Sequence, residues 1–391
     1  MSAFRKIALF GSTGSIGVQT LQVLEASSRD EVVLLAARNN WQRLAEQANK
    51  FRPSWICIEN QAHYAELKKS IDYAHVEISA GKDAVAAGAA MAGYDLCVNG
   101  LVGVAGLMPS YHALQRGIDV ALANKESLVL AGALLKKIAS KNGAQLLPID
   151  SEHSAIMQCL QGESNDWIKR IILTASGGPF RTWSLSKIAN ATVDEALNHP
   201  TWKMGAKITV DSATLLNKGL EVIEAYHLFD VPVEKIDVRI HPVSVVHSMV
   251  EFQDGSFKAQ LGTPDMRLPI RYALSYPERI ETENLTDDPL NWPPLEFFEI
   301  EPERYPCLEL SFKALEQGGT ACAVLNGADE AAVDAFLNGA IRFGRIAELI
   351  AETLSAHKNS AADSLKSVQD ADGWARDFVL DMVGQSRKAA V

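Results

Sequence analysis

Nothing limits the fold of this chain more than the order of its first 150 residues, where short apolar runs ("KIALF", "EVVLLAA", "SWICI", "YDLCVNG", "DVALA", "AQLLPI") alternate with longer stretches of helical period. Strands joined by helix-length crossovers pair in parallel, because the crossover returns the chain to the same end of the sheet. The order predicts a doubly wound sheet covered by helices. Its first strand runs into "FGSTGSIG", which sets Gly11, Gly14 and Gly17 between that strand and an amphipathic helix. Backbone N–H groups and a helix N-terminus in that place can face a pyrophosphate. The G-x-x-G-x-x-G spacing differs from the commoner G-x-G-x-x-G, and a plain strand-to-helix turn is the alternative, but the βαβ context favours a dinucleotide. After the second strand an NAD site usually carries a carboxylate for the ribose 2′-hydroxyl. Here "LLAARNN" supplies Arg38, Asn39 and Asn40 instead. An arginine can fork onto a 2′-phosphate that a carboxylate would repel, so NADPH is expected over NADH, with a solvated surface arginine as the alternative.

Composition narrows the classes further. With 47% hydrophobic residues over 391 positions the chain can bury more than one core. Its charge, 37 − 48 = −11, with no basic block among aromatics, argues against a nucleic-acid partner. Five scattered cysteines suit reduced thiols in a core, the N-terminus lacks the apolar run of a signal peptide, and "LVLAGALL" is far too short to span a bilayer. A cytoplasmic, non-membrane protein is expected.

Beyond residue 150 the strand-like segments are "IKRIILTASGG", "KITVDSA", "KIDVRIHPVSVVHSMVEF" and "SFKAQLG", with Asp254-Gly255 as a hairpin turn. A Pro-rich acidic stretch follows, and then an Ala-rich helical end. The expected architecture is α/β: an N-terminal Rossmann-type parallel sheet (1–149), a central α/β catalytic and dimerisation domain (150–275) with a mobile lid (196–207), a linker (276–302) and a C-terminal helical domain (303–391).

Several polar groups stand out. In "PIDSEHSAI", Asp150 and Glu152 repel each other unless they share a proton or cation, so they grip a metal or simply open a helix. Ser176 sits in "TASGGPF", a turn able to wrap an anion. In "KITVDSATLLNKGLEVIEA", a helix starting near 213 would put Asn217 and Glu221 one turn apart with Lys218 beside them; the ordinary reading of Lys218 and Glu221 is an exposed i,i+3 ion pair. "HPTWKMGAK", with His199, Trp202, Met204 and Gly205, has the make-up of a loop folding over a ligand or of a packed apolar loop. His63, His75 and His357 receive no role.

Together, "GSTGSIG", "ANKESLV", "LLPIDSEHSAI", "TASGGPF", "HPTWKMGAKITVDSATLLNKGLEVIEA" and "IHPVSVVHSMVEFQDGS" closely resemble the 1-deoxy-D-xylulose 5-phosphate reductoisomerases over nearly the full length. The block 199–225 is the most specific part; the C-terminal helices match mainly in architecture and in "RYPCLEL". The resemblance implies an NADPH-dependent, homodimeric enzyme of the non-mevalonate isoprenoid pathway. Such an enzyme rearranges 1-deoxy-D-xylulose 5-phosphate and reduces the product to 2-C-methyl-D-erythritol 4-phosphate. It implies Asp150, Glu152 and Glu221 as ligands of Mg2+ or Mn2+, and Lys125 beside them as a catalytic group. Substrate contacts carried over are Lys125, Ser151, Glu152, Ser176, His199, Ser212, Asn217, Lys218 and Glu221, with Ser176, Ser212, Asn217 and Lys218 nearest the phosphate. Cofactor contacts carried over are Thr13, Gly14, Ser15, Ile16, Ala37, Arg38, Asn39, Asn124, Glu126 and Gly205. Ala37 and Arg38 depart from residues found in some relatives. A non-catalytic NADP-sensing protein and a semialdehyde or polyol-phosphate dehydrogenase are the competing readings. The first would not need three metal carboxylates, and the second would not rearrange carbon.

Overall fold

The computed structural model describes residues 4–27, 29–91, 93–202, 204–281 and 288–389. Parts of the expected lid (Lys203) and linker (282–287) lie outside these. The chain forms two compact units: Met1–Ser127 with Leu135–Ser154 and Asp265–Thr282, and Leu128–Leu134 with Ala155–Pro264 and Glu283–Val391.

In the first unit, the strands β1 (Arg5–Phe10), β2 (Asp30–Ala37), β3 (Trp55–Ile58), β4 (Glu77–Ala80), β5 (Leu96–Asn99), β6 (Asp119–Leu122) and β7 (Leu146–Pro148) form a seven-stranded sheet in the order β4-β3-β2-β1-β5-β6-β7. All its pairings are parallel. Ile7, Leu9, Leu35, Ile56 and Val98 are buried, as strands covered on both faces require. β4 is the strand the apolar pattern does not announce. It has four residues at the sheet edge, bonded on one side only, so little hydrophobicity was needed to hold it. The order reverses between β1 and β5, so the loops beyond the strand C-termini open there, where α/β sheets bind ligands.

The second unit holds β8 (Ile168–Ala175), β9 (Ile236–Ile240), β10 (Val246–Phe252) and β11 (Phe257–Leu261) in the order β11-β10-β8-β9. β10 and β11 form the antiparallel hairpin expected around Asp254-Gly255. "KIDVRIHPVSVVHSMVEF" divides into β9 and β10 at a turn in which Ser244 has φ +53°. "KITVDSA" is not a strand: Ala206–Thr214 is a helix, capped at Gly205, whose carbonyl accepts the Thr209 hydroxyl at 2.8 Å. Its β-branched residues suggested a strand, but Val210 is buried in helical packing, and propensity yields to such context. One sheet face packs against the helices Ser151–Cys159 and Leu216–Phe229, with Ile156, Cys159, Ile171, Leu173, Leu215, Val222 and Ala225 in one core cluster. The C-terminal stretch is helical as expected: Pro306–Gln317, Ala321–Leu337, Arg345–Ala356 and Leu365–Ala389. The five cysteines are all buried and free. No helix among the described residues is long and apolar enough to cross a membrane.

Candidate active site

Four of the predicted segments emerge at the C-terminal ends of the parallel strands: the glycine turn after β1, Arg38 and Asn39 after β2, Asn124–Glu126 after β6 and Asp150–Glu152 after β7. The glycine turn is shaped by close approach. A Cβ on Gly17 would stand 2.3 Å from the Gly11 carbonyl oxygen, so only glycine lets the helix Ser15–Ser27 begin directly on the turn. No acidic residue occupies that helix's first turn, and its leading N–H groups face outward with the positive end of the helix dipole. The helix Trp41–Phe51 braces the turn, Gln47 Nε2 donating to the Ser12 carbonyl at 2.8 Å and Arg43 to that of Thr13 at 3.2 Å. Thr13 and Ile16 are half-buried, Gly14 and Ser15 exposed, and Ala37 buried in β2.

Arg38 reaches into solvent, its side chain 74% exposed, with Nε 3.6 Å from a Glu59 carboxylate oxygen. Asn39 Oδ1 accepts from Asn60 at 3.1 Å. Asn124 and Glu126 are buried and already have structural work. Asn124 caps the helix Lys125–Asn142 and donates to the carbonyls of Leu101 and Gly103, while Glu126 accepts the Gly103 N–H at 2.9 Å.

At the charged centre Lys125 Nζ lies 2.6 Å from Asp150 Oδ2, with Lys125 buried and Asp150 half-buried. Burial would raise the Asp150 carboxyl, but Lys125 and then His153 outweigh it and hold the group well below the usual carboxylate range. The helix-opening reading of "DSEH" is seen directly. Asp150 opens the helix Ser151–Cys159, accepting weakly from the Glu152 N–H at 3.4 Å, and its carboxylate still offers an oxygen toward Glu152. Ser151 Oγ donates to Glu152 at 2.6 Å. The same helix carries Ile156 into the core cluster beside Val222 and Ala225. Asp150, Glu152 and Glu221 each offer an oxygen, and these atoms lie within 4.8 Å of one another. Three carboxylates at that spacing fit a hard divalent cation.

Lys218 and Glu221 are not an exposed pair. Both are buried, with Lys218 Nζ 2.5 Å from Glu221 Oε2 and Asn217 donating to Oε1 at 2.5 Å. They are aimed by Leu215, whose φ of +55° breaks the chain between the helices Ala206–Thr214 and Leu216–Phe229. A branched residue held there is strained, as found where structure over-determines a functional corner. Ser176, His199 and Ser212 also converge: His199 Nε2 lies 3.0 Å from Ser176 Oγ and 3.1 Å from Ser212 Oγ. The approach depends on Gly178, at φ +64°, where a Cβ would stand 2.7 Å from the Ser212 carbonyl oxygen. Gly205 belongs to the second unit, as the cap of Ala206–Thr214.

Two residues escaped sequence reasoning. His153 and Glu224 are fully buried and, with Asp150, form a second group whose ligand atoms lie within 4.8 Å. Their signal was the i,i+3 spacing from Asp150 and from Glu221, one helical turn each.

The profile described as 1-deoxy-D-xylulose 5-phosphate reductoisomerase matches residues 7–132, that of its C-terminal domain matches 146–229, and that of the DXP reductoisomerase C-terminal domain matches 261–378. The chain is 48% identical over 379 residues, 97% of each chain, to a 1-deoxy-D-xylulose 5-phosphate reductoisomerase of Trichlorobacter lovleyi. It is similar to a solved reductoisomerase from Zymomonas mobilis in complex with NADPH, at TM-score 0.91 and 42% identity over 97% of this chain and 99% of that one. It is also similar to a DOX-P reductoisomerase in complex with NADPH, fosmidomycin and magnesium, at TM-score 0.94 and 39% identity over 98% and 99% of the two chains.

Proposed function

The chain belongs to the 1-deoxy-D-xylulose 5-phosphate reductoisomerase family, and from that membership we propose how its residues divide the work. It is an NADPH-dependent enzyme that uses magnesium to convert 1-deoxy-D-xylulose 5-phosphate to 2-C-methyl-D-erythritol 4-phosphate in isoprenoid synthesis. When bound, the metal ion supplies Lewis-acid stabilisation of oxyanion character and NADPH supplies the hydride.

The residue assignments rest chiefly on the three carboxylates within 4.8 Å of one another, so Asp150, Glu152 and Glu221 would hold the ion. Lys125, buried against Asp150, can assist the reaction by charge or by proton transfer. Ser151, through its hydroxyl on Glu152, orients that carboxylate and meets substrate. Ser176, Ser212, Asn217 and Lys218, with His199, grip the phosphate and hold the reacting end in register. Thr13, Gly14, Ser15 and Ile16 present backbone donors to the pyrophosphate. Ala37, Arg38 and Asn39 face the adenosine ribose, and Asn124, Glu126 and Gly205 take the remaining cofactor contacts.

In this reading residues 1–149 bind NADPH, 150–275 carry catalysis and dimerisation, and 196–207 cover the substrate. Residues 276–302 link to the helical domain 303–391. We place the enzyme in the cytoplasm as a homodimer. The dimer reading is supported by edge strand β11, which presents Phe257 and Leu261 to solvent, and by the face of that sheet bearing the Arg170, Asp237 and Glu251 ion network. The test is purified protein with 1-deoxy-D-xylulose 5-phosphate, NADPH and Mg2+, the product identified by NMR, and light scattering at micromolar concentration. Conversion that persists after chelation of divalent ions overturns the metal assignment, and a monomer overturns the dimer.

A further inference from the structure

His199 is placed to do two jobs at once, and its two ring nitrogens divide them. Nδ1 accepts the backbone N–H of Thr201 at 3.1 Å and of Trp202 at 2.9 Å. A nitrogen that accepts from amide donors keeps its lone pair, so the imidazole proton must sit on Nε2. Nε2 lies between the hydroxyls of Ser176 and Ser212, and Ser176 Oγ also accepts the Gly178 N–H at 3.2 Å. With Nε2–H donating to serine oxygen, the hydroxyl protons turn outward, ready for an anion. A neutral ring suits this position, and burial pushes the His199 pKa below its ordinary value.

We propose that His199 is a two-sided positioning residue: Nδ1 seats the Thr201–Trp202 turn while Nε2–H sets the hydroxyls of Ser176 and Ser212, so that phosphate engagement and placement of Trp202 are one coupled event. This rests on the reading of Ser176 and Ser212 as phosphate ligands and adds a fixed tautomer and a coupling to it. The coupling is a matter of one rigid ring. It spans five atoms, so whatever displaces the hydroxyl side moves the acceptor of the Trp202 N–H, and the reverse.

The two nitrogens can be removed separately. The amide of asparagine falls near Nδ1 and that of glutamine near Nε2. His199→Asn keeps the acceptor for Thr201 and Trp202 but loses the donor to the serines; His199→Gln keeps the donor and loses the acceptor. Three measurements on the full-length enzyme decide the matter: long-range 1H–15N correlation of the histidine rings, hydrogen exchange of the Thr201 and Trp202 amides, and competitive inhibition by inorganic phosphate. The wild type is expected to show the Nε2–H tautomer and phosphate-dependent protection of both amides. His199→Asn should retain amide protection and weaken phosphate inhibition about tenfold, with protection no longer responding to phosphate. His199→Gln should keep phosphate inhibition within about threefold and lose the protection. A wild-type ring protonated on Nδ1, or two variants that fail both readouts in parallel, overturns the inference. If inorganic phosphate does not compete with substrate in the wild type while the tautomer and the protection stand, the phosphate reading falls and the coupling with it, leaving the turn cap alone.

Discussion

The two halves of the candidate site are built on opposite principles. At the cofactor end the pyrophosphate turn is a matter of backbone: it approaches closely because Gly11 and Gly17 carry no side chain, and the charged group expected at the ribose, Arg38, stands in solvent. At the metal and phosphate end the work is assigned to side chains instead: Lys125, Lys218 and Glu221 are buried, each against a partner of opposite charge, while Asp150, Glu152, Ser176 and His199 are half-buried around them. Geometry carried by backbone tolerates replacement of side chains. Charge carried by buried side chains does not, because removing one partner leaves the other buried and unpaired. The contrast predicts large effects in the second region and small ones in the first.

The largest effect is expected at Glu221. Glu221→Gln keeps the volume and the Asn217 neighbour but removes a ligand charge, so turnover should fall by about three orders of magnitude or more and metal affinity with it. NADPH affinity should be unchanged. Steady-state kinetics, metal titration and NADPH binding on one preparation check this; near-normal turnover and metal affinity would dissolve the three-carboxylate site. Next comes Lys207, which sits 2.6 Å from both Asp211 and Asp329, each nearly or fully buried. Lys207→Met strands two carboxylates in the core and should cost about 3–5 kcal/mol in denaturant unfolding. A loss below about 1 kcal/mol would mean that the charges there are relieved by some other route.

How much of this could be read from sequence follows the same division. The parallel sheet, the glycine turn and the strand ends were legible because strand–helix alternation and glycine spacing are local codes, and β1, β2 and β5 fall where the apolar runs do. The helix Ala206–Thr214 was not legible, since Thr209 and Val210 speak for a strand until the Gly205 cap and the packing of Val210 are known. Nor was the burial of Lys218 and Glu221: spacing predicts that they meet, while only the tertiary fold decides whether water is present. The convergence of Asp150, Glu152 and Glu221 entered through resemblance, not spacing, because some seventy residues separate the two segments. His199 shows the limit most plainly. A residue type and a loop were readable, but the division of labour between its two nitrogens depends on where the Trp202 amide ends up.

The buried centre also makes a pH prediction. Burial, reinforced by Lys218 and His241 and partly opposed by hydrogen bonds with Gly262 and Thr263, lowers the His247 pKa from its ordinary 6.5 to about 4. The folded protein therefore resists a proton that the unfolded chain accepts. Stability is full above pH 6.5, falls as pH drops through 6.5 toward 4, and levels off below about 4, for a total near 3 kcal/mol. About 2 kcal/mol of that should appear between pH 7 and pH 5 as the difference in urea stability between wild type and His247→Gln. Parallel pH slopes for the two proteins would place His247 in a wetter environment than its burial implies.

The smallest effect is expected at Arg38, and it tests the cofactor half directly. The guanidinium is mostly exposed and already shares its charge with Glu59 at 3.6 Å, so its attraction for a 2′-phosphate is screened by solvent and divided with a competing carboxylate. Arg38→Ala should weaken NADPH by a few-fold to about tenfold, roughly 1 kcal/mol, and leave NADH unaffected, because NADH has no 2′-phosphate for the lost charge to meet. The preference for NADPH over NADH should narrow by that factor. Glu59→Gln should shift it slightly the other way, by freeing the guanidinium. Binding constants for both nucleotides across the three proteins make the comparison. If Arg38→Ala weakens NADH as much as NADPH, the side chain shapes the turn instead of reading the phosphate. If the wild type uses the two nucleotides equally well, the charge after β2 does not select between them, and the cofactor end depends on backbone alone.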